Sequence, residues 1–587
     1  MDLDRTPLIE RLGRWADKYP DDRAYTFVDY AADIDGVRVD MTWSELDRRA
    51  RSIAATIRRS VEPGERVALL APQNLDYVAG LLGAMYARVI GVPLFSPDLP
   101  GHAERLLAVA TDATPAAVLT TSEALPAVRT FFEQHADLEP RVTILLDTVE
   151  DGLEWTPEPI DPDDVAYLQY TSGSTRTPAG VIITHGNLAV NAEQCWGTFE
   201  GVPRRSTGVT WLPLFHDMGL VTAVGLPLAY ASPATLMDPV AFIMRPARWL
   251  ELLSEHDDAF TCSPNFAYEY RAAQVTAEEK EKLDLSGVQV FMNGAEPIRP
   301  HTINGFLEAF RECGLRPEVQ VPAYGLAEAT VYVASSSRYK VPVMTTFDRD
   351  RLNEGEAVPV PAGSDNAAVH VGCGEPYGQN VLIVDPKTSV AQAEGRVGEI
   401  WIHGPNVTAG YWGRPEATAE TFGATLAEPV EGMPAGPWLR TGDLGVWYEG
   451  ELYVTGRIKD LVIVDGRNHY PQDVEHTAYS AHEAVRNEYV AAFSVDVGEV
   501  RGEGKGEALV IVAERNRRVP IRLLDPAAVE RDVRAAIKQT HDLAVHEFVL
   551  IEPGALPRTT SAKISRAACR KAYQERTLQV TEIHAEA

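Results

Sequence analysis

The chain has 587 residues, 45% hydrophobic and 24% charged. This is the composition of an ordinary globular protein, and it excludes bulk disorder and collagen-like repeats. The length predicts more than one domain, and the net charge of −30 argues against a generic nucleic-acid binder, which is normally basic.

The first residues, MDLDRTPLIERLG, carry acids and no apolar run, so no secretory signal is expected there. Residues 44–59 read as an amphipathic helix and 66–70 as a strand after the Pro63-Gly64 turn. Residues 75–88 repeat the helical spacing, and 89–94 and 116–120 read as strands. Such alternation predicts an α/β architecture with largely parallel sheets flanked by helices. Residues 220–237 carry no charge for 18 positions, long enough to suggest a membrane helix. Pro227 and Pro233 within it favour a buried helix followed by a strand, so no membrane span is expected.

Residues 335–371, with Pro342, Pro359, Pro361, Gly355 and Gly363, break the rhythm and read as an insertion. Short strands follow at 380–384 and 399–403, with a hairpin at 447–455 turning on Glu449-Gly450. A boundary is expected at 455–459, dividing a large domain, 1–455, from a small α+β domain, 456–587. Beyond it come a strand at 461–464, a helix from Pro471, a strand at 508–512, a helix at 527–539 and a strand at 547–551. Residues 456–587 hold 19 basic and 20 acidic residues, which leaves a net −29 on residues 1–455. The five cysteines are scattered with no CxxC pair, which fits free thiols in a reducing cytoplasm.

The most informative string is YTSGSTRTPAGV, residues 170–181. Small hydroxylated residues around Gly173 let backbone N–H groups approach phosphate oxygens, and the missing Gly-Lys-Ser/Thr ending argues against a Walker loop. By itself it equally fits a polar turn between two strands. Further strings follow in order: NGAEPI (293–298), YGLAEAT (324–330), RTGDLG (440–445), GRIKDLVIVDGRNHYPQDVE (456–475) and TTSAKISR (559–566). Together they resemble the adenylate-forming superfamily of acyl-CoA ligases, peptide-synthetase adenylation domains and luciferases. Finer details resemble its fatty acyl-AMP ligase branch. Arg176 and Ala179 stand where CoA ligases carry Gly and Lys, Ala327 stands where most of the superfamily has Thr, and the stretch from Glu328 to Gly372 is long. LPLFHDMGL (212–220) and GRNHYPQD (466–473) are also similar to that branch.

The resemblance implies a large domain of mixed and parallel sheets with a distorted β-barrel, and a small mobile lid domain. It implies that ATP and Mg²⁺ serve the activation of a fatty acid to its acyl-adenylate. The acyl group then passes to the phosphopantetheine thiol of an acyl carrier protein or polyketide synthase domain. Lys563 is the implied catalytic cation, with Ala562 in place of the usual Gly before it. Glu328 is the implied Mg²⁺ ligand and second catalytic residue, with Thr175 beside it, hard oxygen donors suited to that ion. Thr171, Ser172, Gly173, Ser174 and Thr175 are implied at the phosphates, and Gly294, Ala295, Glu296, Tyr324 and Gly325 at the adenine. Asp443 offers two acceptor oxygens to the ribose diol, Arg457 meets ribose or phosphate, and Lys459 is the hinge. Trp211, Phe215, His216 and Met218 are implied in the acyl pocket. An acidic carrier calls for a local basic surface, either Arg515, Arg517, Arg518 and Arg522 or the tail with Arg558, Arg566, Arg570, Lys571 and Arg576. A fatty acyl-CoA ligase and a non-catalytic acyl- or carrier-binding scaffold stay open as alternatives.

Overall fold

The computed structural model describes residues 3–99, 102–170, 178–364, 366–464, 467–496, 507–558 and 563–581. Two sheets organise the first 380 residues. In the six-stranded sheet the order is Val142–Leu145, Ala117–Thr120, Arg66–Leu69, Ile90–Pro93, Val165–Tyr170, Gly180–Thr184. All its pairings are parallel except the last. The strands are short and mostly apolar because helices cover both faces, as a parallel sheet requires. One such helix, Leu75–Tyr86, starts at an Asn74 cap that accepts from the Tyr77 N–H and buries Val78, Leu81, Leu82 and Met85.

The second sheet has nine strands. Its centre is parallel: Ala234–Met237, Thr207–Thr210, Ala259–Pro264, Val288–Gly294 and Gln320–Gly325. The uncharged run 220–237 feeds it as a short π-helix Val221–Gly225, a helix Leu226–Tyr230 and the strand Ala234–Met237, which joins the sheet. No helix among the described residues is long and apolar enough to cross a membrane.

The barrel expected from the resemblance is corrected to an open antiparallel sheet, ordered Asn380–Val384, Gly398–His403, Leu439–Tyr448, Glu451–Arg457. Its outer pairings do not close among the described residues. The stretch expected as an insertion, 335–371, forms its own two-stranded sheet, Met344–Asp348 with Ala367–Val371, with the short helix Arg349–Asn353 between the strands. It is not a loose loop. Phe347 and Leu352 pack with Leu444, Val446, Tyr453 and Tyr470 in one apolar cluster. Arg349 also donates to the Thr540 carbonyl at 3.2 Å, tying the insertion to the C-terminal helix Pro526–His541.

After residue 462 a separate apolar core forms around Val474, Val490, Ile511, Val529, Val533 and Leu550. Its three-stranded sheet runs Val485–Asp496, Glu507–Arg515, Val545–Ile551. The strand Val485–Asp496 has no counterpart in the sequence expectations. It opens on polar Arg486, Asn487 and Glu488, which mask its apolar alternation. Arg566 crosses this unit as an internal ion. It bonds both oxygens of Glu475 at 2.7 Å and Asp460 at 2.9 Å. It is therefore no part of an exposed basic surface, and Arg515 is likewise engaged, by Glu552 at 3.1 Å.

Candidate active site

The carboxyl ends of parallel strands are where open α/β sheets bind ligands, because loops diverge there and helix N-termini point in. Here the strands Val165–Tyr170, Val288–Gly294 and Gln320–Gly325 deliver Tyr170, Gly294 and Tyr324 to one cavity of about 2060 Å³. The antiparallel sheet supplies Asp443 and Arg457, and the C-terminal unit supplies Lys563.

Tyr324 and Asp443 lie 119 residues apart and meet directly. The Tyr324 hydroxyl donates to Asp443 Oδ2 at 2.7 Å, and Arg457 Nε donates to Oδ1 at 2.8 Å. The turn carrying Asp443 is built by a buried carboxylate that sequence reading missed. Glu399 accepts from Arg440 Nε, Trp401 Nε1 and the Gly442 N–H at 3.0, 2.9 and 3.0 Å. Gly442 sits at φ +71, a left-handed conformation that suits glycine.

Gly294 and Gly325 are glycines for different reasons. At Gly294 a Cβ would come 3.1 Å from the Ala323 carbonyl, a tolerable squeeze. At Gly325 it would come 1.8 Å from the Val331 carbonyl oxygen, so the close approach there is to the chain's own backbone. Ala295 follows at φ 69, a left-handed conformation costly to a residue with a Cβ. Glu296 accepts from the Phe266 N–H at 2.6 Å, and burial raises its carboxyl above the ordinary value.

Glu328 lines the cavity and accepts from the Tyr411 hydroxyl at 2.8 Å. Burial raises its pKa, with the Tyr411 bond opposing. A carboxylate oxygen is the hard donor type that Mg²⁺ takes. Thr171, Ser172, Gly173, Ser174 and Thr175, expected at the phosphates, lie outside the described residues, as does Ala562. Their flanks Tyr170, Pro178 and Ala179 line the same cavity.

Lys563 is half-buried in the cavity wall. Burial lowers its pKa, while the negative fields of Asp217, Glu296 and Asp443 act to raise it and that of Arg457 to lower it. Asp217 was absent from the sequence expectations. It is bonded by His216 Nδ1 at 2.7 Å, and its carboxyl stays below the ordinary value, where burial is outweighed by His216 and Lys563. The signal available was its place next to His216 in the LPLFHDMGL string.

Phe215, His216 and Met218 line the cavity, which deepens among the buried Cys195, Phe199, Val221, Leu226, Met292 and Tyr332. Trp211 is not among the lining residues. It stacks on Phe242 at 3.6 Å and packs in the core beneath. Lys459 is exposed in the turn Ile458–Asp460 at the cavity edge.

Comparison with known proteins meets this geometry. Residues 12–412, more than half of the chain, match the family described as AMP-binding enzyme. The chain is 43% identical to the long-chain-fatty-acid–AMP ligase FadD32 of Mycolicibacterium smegmatis, over 99% of this chain and 96% of that one. It is 42% identical to FadD26 of Mycobacterium marinum, a protein of the same description, over 95% of this chain and 96% of that one. Among solved structures it is similar to the fatty acyl-adenylate ligase of L. pneumophila in complex with acyl adenylate and pyrophosphate. There the TM-score is 0.73 and the identity 33%, over 97% of this chain and 96% of that one. The chain belongs to the AMP-binding enzyme family, in its fatty acyl-AMP ligase branch.

Proposed function

We propose that this protein activates a long-chain fatty acid with ATP, releasing pyrophosphate, and passes the acyl group to the phosphopantetheine thiol of a carrier protein or polyketide synthase. One observation carries the reading. A single cavity has a polar end at Asp443, Tyr324, Arg457 and Glu328 and an apolar end among Phe199, Val221 and Leu226, with Lys563 in the field of both Asp443 and Asp217.

The chemistry follows from that placement. A fatty carboxylate oxygen attacks the α-phosphorus, the bond to the bridging oxygen of pyrophosphate breaks, and no proton moves. Negative charge grows on the α-phosphate oxygens and must meet fixed positive charge. Lys563 supplies it between carboxylate and phosphate. Asp443, held by Tyr324 and Arg457, orients the ribose hydroxyls. Glu328 and Thr175 are the residues proposed to hold Mg²⁺, which when bound neutralises the phosphate oxygens. Residues 171–175 are proposed to cradle the phosphates, and Gly294, Ala295, Glu296 and Gly325 to border the adenine ring that Tyr324 covers. Phe215, His216 and Met218 form the mouth of the acyl pocket.

In this reading residues 1–455 form the large domain and 456–587 a lid turning at Lys459, working in the cytoplasm. A product assay tests it: ATP, Mg²⁺ and a labelled long-chain acid, followed in parallel by CoA or a phosphopantetheinylated carrier. Acyl-AMP that persists with CoA and is consumed by the carrier is expected. Rapid acyl-CoA formation makes the protein a CoA ligase, and absence of any adenylate points to another acid substrate or to the scaffold.

A further inference from the structure

Along the wall of the same cavity, beside Glu296, the large domain and the C-terminal unit meet in a compact cluster of ionisable groups. The large domain contributes Arg299, at the start of the helix Pro300–Phe310, with His301 and Thr302 in that helix, and Glu269 from the helix Asn265–Gln274. The C-terminal unit contributes Tyr479 and His476 from the helix Pro471–Ser480, and Glu488 from the strand Val485–Asp496.

Arg299 Nη1 donates to the Tyr479 hydroxyl at 2.6 Å and bonds Glu488 Oε1. His301 Nε2 lies 3.0 Å from Glu269 Oε1 and 3.7 Å from Glu488 Oε1. Thr302 donates to Glu269, and His476 Nδ1 lies 2.6 Å from the Tyr479 hydroxyl. The rings of His301 and His476 stack at 5.8 Å.

The backbone is shaped to make this contact. Glu488 sits at φ 63, where the strand pairing slips between Val485 and Val490. Such a bulge re-aims a side chain, and a left-handed glutamate costs energy that its contacts must return. The same residue reaches the Lys563 segment. Arg558 extends to within 3.5 Å of the Glu488 carbonyl and lies over the Tyr489 ring at 3.8 Å. Lys563 lies five positions after Arg558.

We propose that Arg299 and Glu488 are positioning residues that latch the C-terminal unit onto the large domain in the pose in which Lys563 enters the cavity. The proposal rests on the reading of Lys563 given above. The latch holds two carboxyls, Glu269 and Glu488, against one guanidinium. Like charges this close favour keeping a proton between them. Burial, with Glu269 adding and Arg299 opposing, pushes Glu488 up to about 8, and Glu296 also faces it. Glu269 stays low despite its burial because His301, Glu488 and Thr302 bond it. His476 is held below its ordinary value by burial and by Arg299 and His301, with Asp473 opposing. The sign is that of a raised carboxyl. The docked pose binds the proton more tightly than the open one, so docking is fully present at lower pH and weakens as pH rises through about 8.

The test reads docking without requiring activity. The five native cysteines are buried, so Glu308→Cys and Arg531→Cys, at exposed positions on either side of the interface, accept a fluorophore pair. In the full-length protein, energy transfer is expected to fall as pH passes about 8. Glu488→Gln, isosteric and never charged, is expected to abolish that step. Arg299→Met is expected to lower transfer at every pH and to cut kcat for adenylation about 10- to 100-fold with the ATP KM nearly constant, the mark of misplaced machinery. Arg299→Lys should recover part of both. A pH step that persists in Glu488→Gln, or Arg299→Met with unchanged kcat, overturns the latch. A wild type that shows the step but makes no adenylate overturns the proposed function and leaves the latch standing.

Discussion

Replacing Lys563 by Met removes one charge at nearly constant volume. The ammonium lies in a cavity wall within the fields of Asp217, Glu296 and Asp443. A unit charge ~4 Å from developing negative charge is worth about 4 kcal/mol at an effective dielectric constant of ~20. Losing one preorganised donor of this kind elsewhere costs ~2.7–4 kcal/mol, which is about 100- to 1,000-fold in kcat. The two estimates agree, so Lys563→Met is expected to form acyl-AMP at least ~100-fold more slowly. The ATP KM should change little, because the nucleoside is proposed to be held by Asp443, fixed by Tyr324 and Arg457, without it. The assay is pyrophosphate release under saturating ATP and fatty acid, with a melting curve to show that the fold is intact. A variant within about fivefold of wild type, folded normally, would refute the assignment of the charge to the transition state.

Glu328→Gln is expected to raise the Mg²⁺ concentration needed for half-maximal rate about 10-fold or more, since a neutral amide is a weaker hard-ion ligand. In wild type the Mg²⁺ requirement should grow as pH falls toward the raised pKa of Glu328, because the proton competes with the metal; the Gln variant should lose that slope. An Mg²⁺ titration at several pH values checks both. Tyr324→Phe removes one of the two donors that fix Asp443, an interaction worth about 1–2 kcal/mol, so kcat/KM for ATP should fall about 5- to 30-fold. Asp443→Ala should cost more than Tyr324→Phe, and equal losses would mean that the tyrosine acts on its own. Arg566→Met leaves Glu475, which is 2% exposed, and Asp460 without their cation. Breaking a buried ion network this way costs about 3–5 kcal/mol, readable by denaturant unfolding of the C-terminal transition, and a loss below about 1 kcal/mol would contradict it.

Much of this protein was legible in its residues. Hydrophobic periodicity located the helix Leu75–Tyr86 and the strand Asn380–Val384 because each buries its own pattern locally. The ordered strings named Tyr324, Glu328, Asp443 and Lys563. Local pattern failed where a neighbour distant in sequence sets the environment. The strand Val485–Asp496 opens on a polar bulge, so its alternation is broken where it makes contact with the large domain. Trp211 looked like a pocket residue, yet its stacking on Phe242 puts it in the core.

The sequence alone determined which chemical groups this protein owns, their order, and the α/β class of the fold, because these depend on residue identity and short-range spacing. Only the tertiary structure decided who meets whom. It brought Asp217 and Glu296 around Lys563, and it set Glu399 under the Asp443 turn. It also turned Arg566 inward, away from any basic surface. These pairings join residues from separate sheets and from both ends of the chain. Their energies come from burial and charge, which exist only once the chain has folded around them.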